Sequence, residues 1–163
     1  MKLIITDIVD LNLKISGEYK LIKPQGKDIT PCIGCFDCWF GTPGECPIRD
    51  GYGSMGSDLG KCDELIIISE CFYGSVSPFV KNVLDRSIAY VAPDFDFVDG
   101  VMKHKRRYAN CIKLTACFYG KSITHKEKDT AKRIMYANMD NFRAKVKEVL
   151  FFGSAEELAG VEF

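Results

Sequence analysis

The feature that most constrains the fold is the segment LIIIS at residues 65–69, a short aliphatic run that predicts a fully buried strand. A helix is predicted next, over residues 77–91, and a second strand over residues 108–118. A long helix over residues 124–147 and a last strand over residues 148–153 repeat this order. Strands that alternate with helices indicate an α/β fold with a parallel sheet.

The start of the chain departs from this order. Residues 2–8, KLIITDI, predict a buried strand. Apolar and polar residues then alternate on both sides of Ser16-Gly17, which predicts two antiparallel strands joined by a two-residue turn. Residues 8–18 leave no room for a crossover helix, because a parallel return needs a dozen or more residues. We therefore expect a mainly parallel five-stranded sheet in which an N-terminal hairpin replaces the first crossover helix.

Three further segments are assigned from local patterns. Residues 50–64 have apolar residues at helical spacing, but the glycines among them predict only a weak helix. Residues 92–107 are interpreted as a long loop. Thr124 and Glu127 predict a capping box at the start of the long helix.

The loop before residue 50 contains four closely spaced cysteines: Cys32, Cys35, Cys38 and Cys46. In this spacing three thiolates can converge from one tight loop while the fourth returns after a turn. Four thiolates can hold a [4Fe–4S] cluster, and Cys-x2-Cys-x2-Cys is a spacing of bacterial cluster proteins. Zinc fits less well, because structural zinc sites usually use two separated Cys-x2-Cys pairs. The alternative, which the sequence alone favours, is that the cysteines pack in the loop as small hydrophobic residues.

Charge and hydropathy narrow the class of protein. The chain of 163 residues carries 22 basic and 22 acidic residues, so its charge indicates neither nucleic acid nor a membrane as partner. Its longest aliphatic run, residues 65–68, is far shorter than a membrane span. Asp7 and Asp10 interrupt the N-terminal apolar region, which argues against an export signal. We expect one domain over residues 1–163 in the cytoplasm, where cysteines favour metal or redox roles over disulfides.

Several sequence segments together resemble a known family. PCIGCFDCWFGTPGEC at residues 31–46, Asp50, and YGSVSPFVKNVLDR at residues 73–86 resemble the flavodoxin-like NAD(P)H-dependent FMN reductases, in the branch that includes the iron–sulfur flavoproteins. The resemblance covers residues 28–153 in order. It implies a flavodoxin-like three-layer sandwich with strand order 2-1-3-4-5 and FMN over the carboxyl ends of the strands. It also implies NAD(P)H as electron donor, a small-molecule acceptor and a homo-oligomer, commonly a dimer.

The resemblance also implies where a flavin would bind. The loop after the third strand would face the flavin ring with Ser69, Cys71, Phe72, Tyr73, Gly74 and Ser75. Backbone N–H groups at Gly74 and Ser75 can hydrogen-bond a ring edge without a large side chain in the way. The loop after the fourth strand would line the other side with Ala116, Cys117, Phe118, Tyr119 and Gly120. An alternative is that these aromatic residues only fill the end of the sheet.

Two departures from the family pattern bear on function. The family follows the first strand with a Gly-Ser-Pro-Arg type loop and a helix whose N-terminus binds the FMN phosphate, whereas this chain has Asp7 and Asp10 there. Glu70 stands where the family usually has proline. We therefore expect FMN, if bound, to bind weakly. The predicted function is electron transfer from reduced nicotinamide through FMN to a small acceptor or a cluster, and the alternative is a subunit without flavin that serves in binding or assembly.

Weaker candidates have structural interpretations. Residues 103–108, KHKRRY, are a candidate for the NADPH 2′-phosphate, although a solvated charged face is the favoured interpretation. Asp85 and Arg86 are interpreted as a structural pair. The remaining cysteines, Cys62, Cys71, Cys111 and Cys117, are expected to be buried.

Overall fold

The computed structural model of the protein describes residues 1–10, 12–26 and 28–163. Its strands are β1 (Lys2–Thr6), β2 (Tyr19–Ile22), β3 (Glu64–Glu70), β4 (Val91–Val98), β5 (Val101–Arg106), β6 (Lys113–Tyr119) and β7 (Lys145–Phe152). Five of them form a parallel sheet in the order β2-β1-β3-β6-β7. Without the separate β4–β5 pair, this is the predicted order 2-1-3-4-5, so the α/β class and the mainly parallel five-stranded sheet are confirmed.

The helices are α1 (Asp37–Phe40), α2 (Met55–Lys61), α3 (Pro78–Arg86) and α4 (His125–Asn141). The predicted capping box opens α4, since the Thr124 side chain accepts from the Glu127 N–H and the Glu127 carboxylate accepts from the Thr124 N–H. The predicted helix over residues 124–147 is too long. Arg143 has a φ of 53° in the left-handed region, which ends the helix before β7 begins.

The two faces of the sheet are covered differently. The larger core contains buried residues from α2, α3 and α4, such as Leu59, Val83 and Met135. The smaller core is formed by Ile4, Ile66, Ile68, Cys117 and Leu158, with residues from the segment after β1 packed against it. The second face is therefore covered by irregular chain and by the 3₁₀ turn Glu156–Gly160.

The predicted N-terminal hairpin is wrong, because β2 pairs in parallel with β1, from Lys2 opposite Tyr19 to Ile5 opposite Ile22. Residues 7–18 supply the dozen residues that a parallel return needs, and no helix occurs among those of them that the structure describes. The alternating residues before Gly17 instead pair with the end of the chain. The Phe163 N–H donates to Lys14 O, and the Ser16 N–H donates to Phe163 O, each at 3.0 Å. Leu11, part of the predicted first hairpin strand, is outside the described residues.

The predicted long loop over residues 92–107 is also wrong, because β4 and β5 form an antiparallel hairpin. Asp99 and Gly100 join the strands with φ angles of 53° and 78°. Both angles lie in the left-handed region that a two-residue type I′ turn requires, and Asp-Gly is a preferred sequence for it. Val98 and Val101 flank this dipeptide, so the signal for the hairpin was present in the sequence.

Candidate functional site

Trp39, the single tryptophan of the chain, fixes the cysteine loop against the segment that follows α3. The Trp39 indole N–H donates to Val91 O at 3.0 Å and lies 3.4 Å from Ile88 O. Phe36 precedes α1 in the left-handed conformation and stacks on Trp39 with ring centroids 5.5 Å apart. These contacts hold one side of the loop in place without using a cysteine.

A buried ion pair closes the base of the cysteine loop. The Arg86 guanidinium, 1% exposed, donates to both carboxylate oxygens of Asp50 at 2.6 and 3.1 Å. The same guanidinium donates to Thr30 O at 3.0 Å and to Ile48 O at 3.2 Å. Thr30 precedes the first cysteine and Ile48 follows the last one. Arg86 therefore joins the two ends of the loop, and we call Arg86 and Asp50 the loop clasp.

The partner of Arg86 differs from the sequence interpretation, which paired it with Asp85. Asp85 instead pairs with Lys81 one helical turn earlier, on the exposed face of α3. Burial opposes the negative charge of Asp50, but hydrogen bonds from Arg86, Thr30 and Tyr52 hold its pKa at about 2. Burial likewise opposes the positive charge of Arg86, while the bond to Asp50 and the nearby Cys46 sulfur raise the Arg86 pKa. The clasp is thus fully charged over the physiological range.

The four cysteines of the loop surround one cavity of about 440 Å³. The other walls come from the second half of α3 and the last turn of α4, including Arg86 and Asn141. Cys38 is buried, Cys46 is half-buried, and Cys32 and Cys35 are exposed. Burial raises the pKa of the Cys38 thiol, and Cys46, Cys32 and Cys35 raise it further in that order. The packed-loop interpretation therefore holds for Cys38 and not for the two exposed cysteines.

The four thiols that line this cavity are of the donor type that a four-iron cluster takes. Among the described residues, no group of three or more His, Cys, Asp or Glu side chains is arranged to hold a metal ion. A four-iron cluster takes one thiolate at each iron, so its ligands surround a larger body. The Arg86 Nε atom is buried beside the cavity and has no hydrogen-bond partner within the described chain. A buried cation with an unused donor suits an anionic cluster.

The predicted flavin loop forms a tight turn at the carboxyl end of β3. Phe72 and Ser75 exchange two backbone hydrogen bonds of 2.9 Å, and Tyr73 and Gly74 between them have φ angles of 52° and 77°. Phe72 and Tyr73 are exposed, with ring centroids 5.0 Å apart. A Cβ atom at Gly74 would lie 2.9 Å from the Thr130 Cβ, so the close approach of this turn to α4 requires glycine.

The structure brings together only part of the predicted flavin site. Cys71, whose N–H donates to Tyr119 O at 2.8 Å, adjoins the carboxyl end of β6, and Gly120 follows. Ala116, Cys117 and Phe118 are fully buried inside β6, so the prediction that they line a ligand site is wrong. Ser69 is also fully buried and acts through hydrogen bonds to its neighbours. The exposed candidates are Phe72 and Tyr73.

The flavin loop and the cysteine cavity lie at different levels of α4. Gly74 contacts Glu127 and Thr130 in the first turns of this helix. The cavity is lined by Asn138 and Asn141 near its end. Eleven residues separate each pair, which is about 16 Å along a helix.

A partly exposed strip of five aromatic residues and one methionine, which the sequence interpretation did not include, runs from the cysteine loop to the β4–β5 hairpin. Trp39 lies 5.5 Å from Phe36 and 5.4 Å from His104, and His104 lies 4.3 Å from Phe95, measured between ring centroids. Phe97 and Met102, paired across β4 and β5, continue this face toward the hairpin turn and are 79% and 60% exposed. We call these six residues the aromatic strip. Its β-strand part would have followed from recognising the Asp-Gly turn.

The four cysteines outside the loop were all predicted to be buried, and this prediction is wrong for one of them. Cys62 and Cys117 are buried and Cys71 is half-buried, but Cys111, expected to be buried, is exposed. It lies just before β6, whereas the sequence had placed it inside this strand.

None of the helices in the described residues has the length and apolar character that a membrane span needs.

Parts of the chain are similar in sequence to known proteins. No family model matches the chain. An iron–sulfur flavoprotein of Archaeoglobus fulgidus is 34% identical over 83 residues, which are 51% of this chain and 42% of that protein. An iron–sulfur flavoprotein of Methanocaldococcus jannaschii is 34% identical over 70 residues, 43% of this chain and 35% of that protein. The predicted resemblance to this family is confirmed. The matches span less than half the length of these two relatives.

A solved structure confirms the fold independently. An FMN-dependent NADH-azoreductase from Bacillus anthracis, determined in complex with FMN, superposes with a TM-score of 0.52. The superposition covers 96% of this chain and 88% of that chain at 12% sequence identity. The chain thus shares the flavodoxin-like α/β fold of this structure.

Proposed function

We propose that the chain is a flavodoxin-like redox protein in which the cysteine loop holds a [4Fe–4S] cluster and the carboxyl edge of the sheet receives a flavin ring. The observation that carries the cluster is the placement of Cys32, Cys35, Cys38 and Cys46 around one cavity beside a buried arginine. The iron–sulfur flavoprotein relatives support it. A bound cluster would supply one-electron transfer, whose potential depends on net charge and hydrogen bonds around the sulfurs.

The residues of the chain have distinct parts in this proposal. Cys32 and Cys35 would bind the exposed side of a cluster, and Cys38 and Cys46 its deeper side. Arg86 keeps the loop closed and places a positive charge next to Cys46. At the carboxyl edge, the exposed rings of Phe72 and Tyr73 are available to stack on a flavin.

The electron donor and the electron acceptor are also part of this proposal. The names of the relatives and of the structural neighbour support a flavin, with FMN and NADH appearing in the neighbour's name. For this chain we propose reduced nicotinamide as the donor and a small molecule as the acceptor, in the cytoplasm. The cytoplasmic location stays a prediction.

The cluster is tested on protein purified without oxygen. We expect about four irons per chain by elemental analysis and a broad absorption band near about 400 nm from thiolate-to-iron charge transfer. Colourless protein with no iron and four free thiols in the loop would contradict the proposal.

One observation favours a second candidate function, a binding or assembly subunit without bound flavin. Asp7 follows β1 where the FMN phosphate of this fold would lie, and its carboxylate accepts the Glu70 N–H at 2.9 Å and the Tyr119 hydroxyl at 2.9 Å. A carboxylate repels a phosphate, so the phosphate of FMN does not fit here. This candidate would be favoured by protein that binds neither riboflavin nor FMN in solution.

The aromatic strip supports the prediction of a homo-oligomer. Large exposed apolar patches mark interaction sites, and an isolated two-stranded hairpin is only marginally stable in water. Asp96 and Lys105 pair within the hairpin at 3.9 Å, whereas Asp94 on β4 and Arg106 on β5 are opposite charges that a twofold axis can bring together between two copies. Because the chain has a formal net charge of zero, no net repulsion opposes this contact. We propose a second copy of the chain as the partner on this strip.

Replacing Phe97 by Lys is expected to convert the dimer to a monomer, because it puts a charge in the centre of the apolar contact. Size-exclusion chromatography with light scattering measures the mass of the particle. Tyr136→Lys is the matched control, since Tyr136 is an aromatic residue on α4 that is 60% exposed and outside the strip. A monomeric wild-type chain, or a dimer that survives Phe97→Lys, would contradict this interface.

A further inference from the structure

The crevice between β1 and β3 is closed at its carboxyl end by Asp7. One oxygen of its carboxylate accepts the Glu70 N–H at 2.9 Å and lies 3.5 Å from the Ser69 hydroxyl. The other oxygen accepts the Tyr119 hydroxyl at 2.9 Å. Asp7 therefore joins the ends of β1, β3 and β6 through one negatively charged group.

This crevice is the switch point of the sheet, where the chain leaves β1 toward β2 on one side and returns as β3 on the other. Ligands of open α/β sheets bind at this point, outside the carboxyl ends of the strands. Backbone N–H groups there usually receive the anionic end of the ligand. In this chain the Glu70 N–H, which faces the crevice, is already bonded to a carboxylate of the protein.

The start of α3 beside the crevice is engaged in the same way. The Ser77 N–H donates to the Ser69 hydroxyl at 2.8 Å, and the Ser77 side chain accepts from the Val80 N–H. Burial and the adjacent Asp7 carboxylate raise the pKa of Tyr119, so its hydroxyl keeps the proton that it donates to Asp7. The Glu70 N–H, the Ser77 N–H and the Tyr119 hydroxyl are thus bonded within the protein, and the Asp7 carboxylate lies beside them.

We propose that Asp7 takes the place of the ligand's phosphate, so that the carboxyl edge accepts a phosphate-free flavin, of which riboflavin is the simplest, in preference to FMN. This inference rests on the proposed function in one respect, namely that the edge receives a flavin ring. The ring would be held by stacking on the exposed Phe72 and Tyr73 side chains, which is independent of the phosphate.

The test is a comparison of two dissociation constants on the same protein, measured by quenching of flavin fluorescence during titration. A site that binds phosphate through two charge-assisted hydrogen bonds prefers FMN over riboflavin by roughly 100-fold or more. We expect riboflavin to bind at least as tightly as FMN to the wild-type chain. Raising the salt concentration is expected to improve FMN binding, because it screens the repulsion between carboxylate and phosphate.

Asp7→Asn tests the role of the charge itself. Asparagine keeps an oxygen for the Glu70 N–H, and its amide N–H can donate to the Tyr119 hydroxyl oxygen, so both contacts at the corner are retained while the negative charge is lost. We expect the ratio of riboflavin affinity to FMN affinity to fall by about tenfold in favour of FMN. Asp10→Asn is the matched control, because Asp10 is exposed three residues further on and its loss changes the net charge equally. Its effect on the ratio should be small, and circular dichroism verifies that both variants are folded.

Three outcomes would overturn the inference: FMN binding tenfold or more tighter than riboflavin, equal effects of the two variants, or binding of neither flavin. The cluster is judged separately, by iron content and colour of the same preparation. A brown, iron-loaded protein that binds neither flavin would retain the cluster proposal and reject the riboflavin site. A colourless protein that prefers riboflavin would do the reverse.

Discussion

Replacing Asp50 by Asn is expected to lower the free energy of unfolding by about 3–5 kcal/mol, because it leaves the buried charge of Arg86 without its counter-ion. Arg86 is 1% exposed, so contact with solvent compensates little of the loss. Asparagine can still accept one hydrogen bond but carries no charge, so the variant isolates the ionic part of the clasp. Urea unfolding followed by circular dichroism measures the change.

The matched control for this prediction is Asp85→Asn. Asp85 pairs with Lys81 one helical turn away, and both side chains are exposed, at 42% and 56%. Exposed pairs of this kind contribute about 0.3–0.5 kcal/mol, so the control should unfold almost as the wild type does. Equal losses in the two variants would mean that Arg86 does not depend on Asp50.

Acid should weaken the same clasp. The pKa of Asp50 is about 2 in the folded chain against an ordinary value of 3.8. Because the folded state binds this proton less readily than the unfolded state, the stabilisation is fully present above about pH 4 and is lost as the pH falls through 2. The contribution is about 2 kcal/mol. Unfolding midpoints measured between about pH 5 and 2 should show this loss in the wild type and not in Asp50→Asn.

Local patterns in the sequence predicted most strands of the sheet and two of the helices, α3 and α4. The aliphatic run of β3, the apolar face of α3 and the Thr124 capping box each depend on residues that are close in sequence. The N-terminal hairpin failed for the opposite reason. Ser16 bonds to Phe163, 147 residues later, and the alternating pattern before Gly17 gives no information about that distant partner. The β4–β5 hairpin differs in this respect, since its Asp-Gly turn is a local signal in the sequence.

The four cysteines of the loop were the part of the candidate site that the sequence could predict. The sequence identified four thiols on one loop, but the clasp joins residues 36 positions apart and comes from the fold alone. The sequence also predicted weak FMN binding, because Asp7 would place a negative charge near the phosphate. That Asp7 is bonded to Glu70 and Tyr119 follows only from the parallel alignment of β1, β3 and β6.

Replacing Cys35 by Ser is expected to abolish the absorption band near about 400 nm and to reduce bound iron to the level of a protein without a cluster. A serine hydroxyl is a harder and poorer ligand for iron than a thiolate, so one corner of the cluster would lose its ligand. Cys111→Ser is the matched control, because Cys111 is also an exposed, unpaired thiol but lies outside the loop. Its colour and iron content should equal those of the wild type. Spectra and elemental analysis are taken on protein purified without oxygen.

Because Cys35 is exposed, its replacement should change iron binding and leave the stability of the fold unchanged. Removing an exposed sulfur leaves no cavity, and surface substitutions usually change the free energy of unfolding by less than about 0.5 kcal/mol. The apo forms of the wild type and Cys35→Ser should therefore unfold at the same urea concentration. Loss of colour with unchanged apo stability would assign Cys35 to the cluster. If Cys35→Ser and Cys111→Ser keep equal iron and colour, the metal is bound elsewhere, and the loop holds free thiols around an otherwise ordinary cavity.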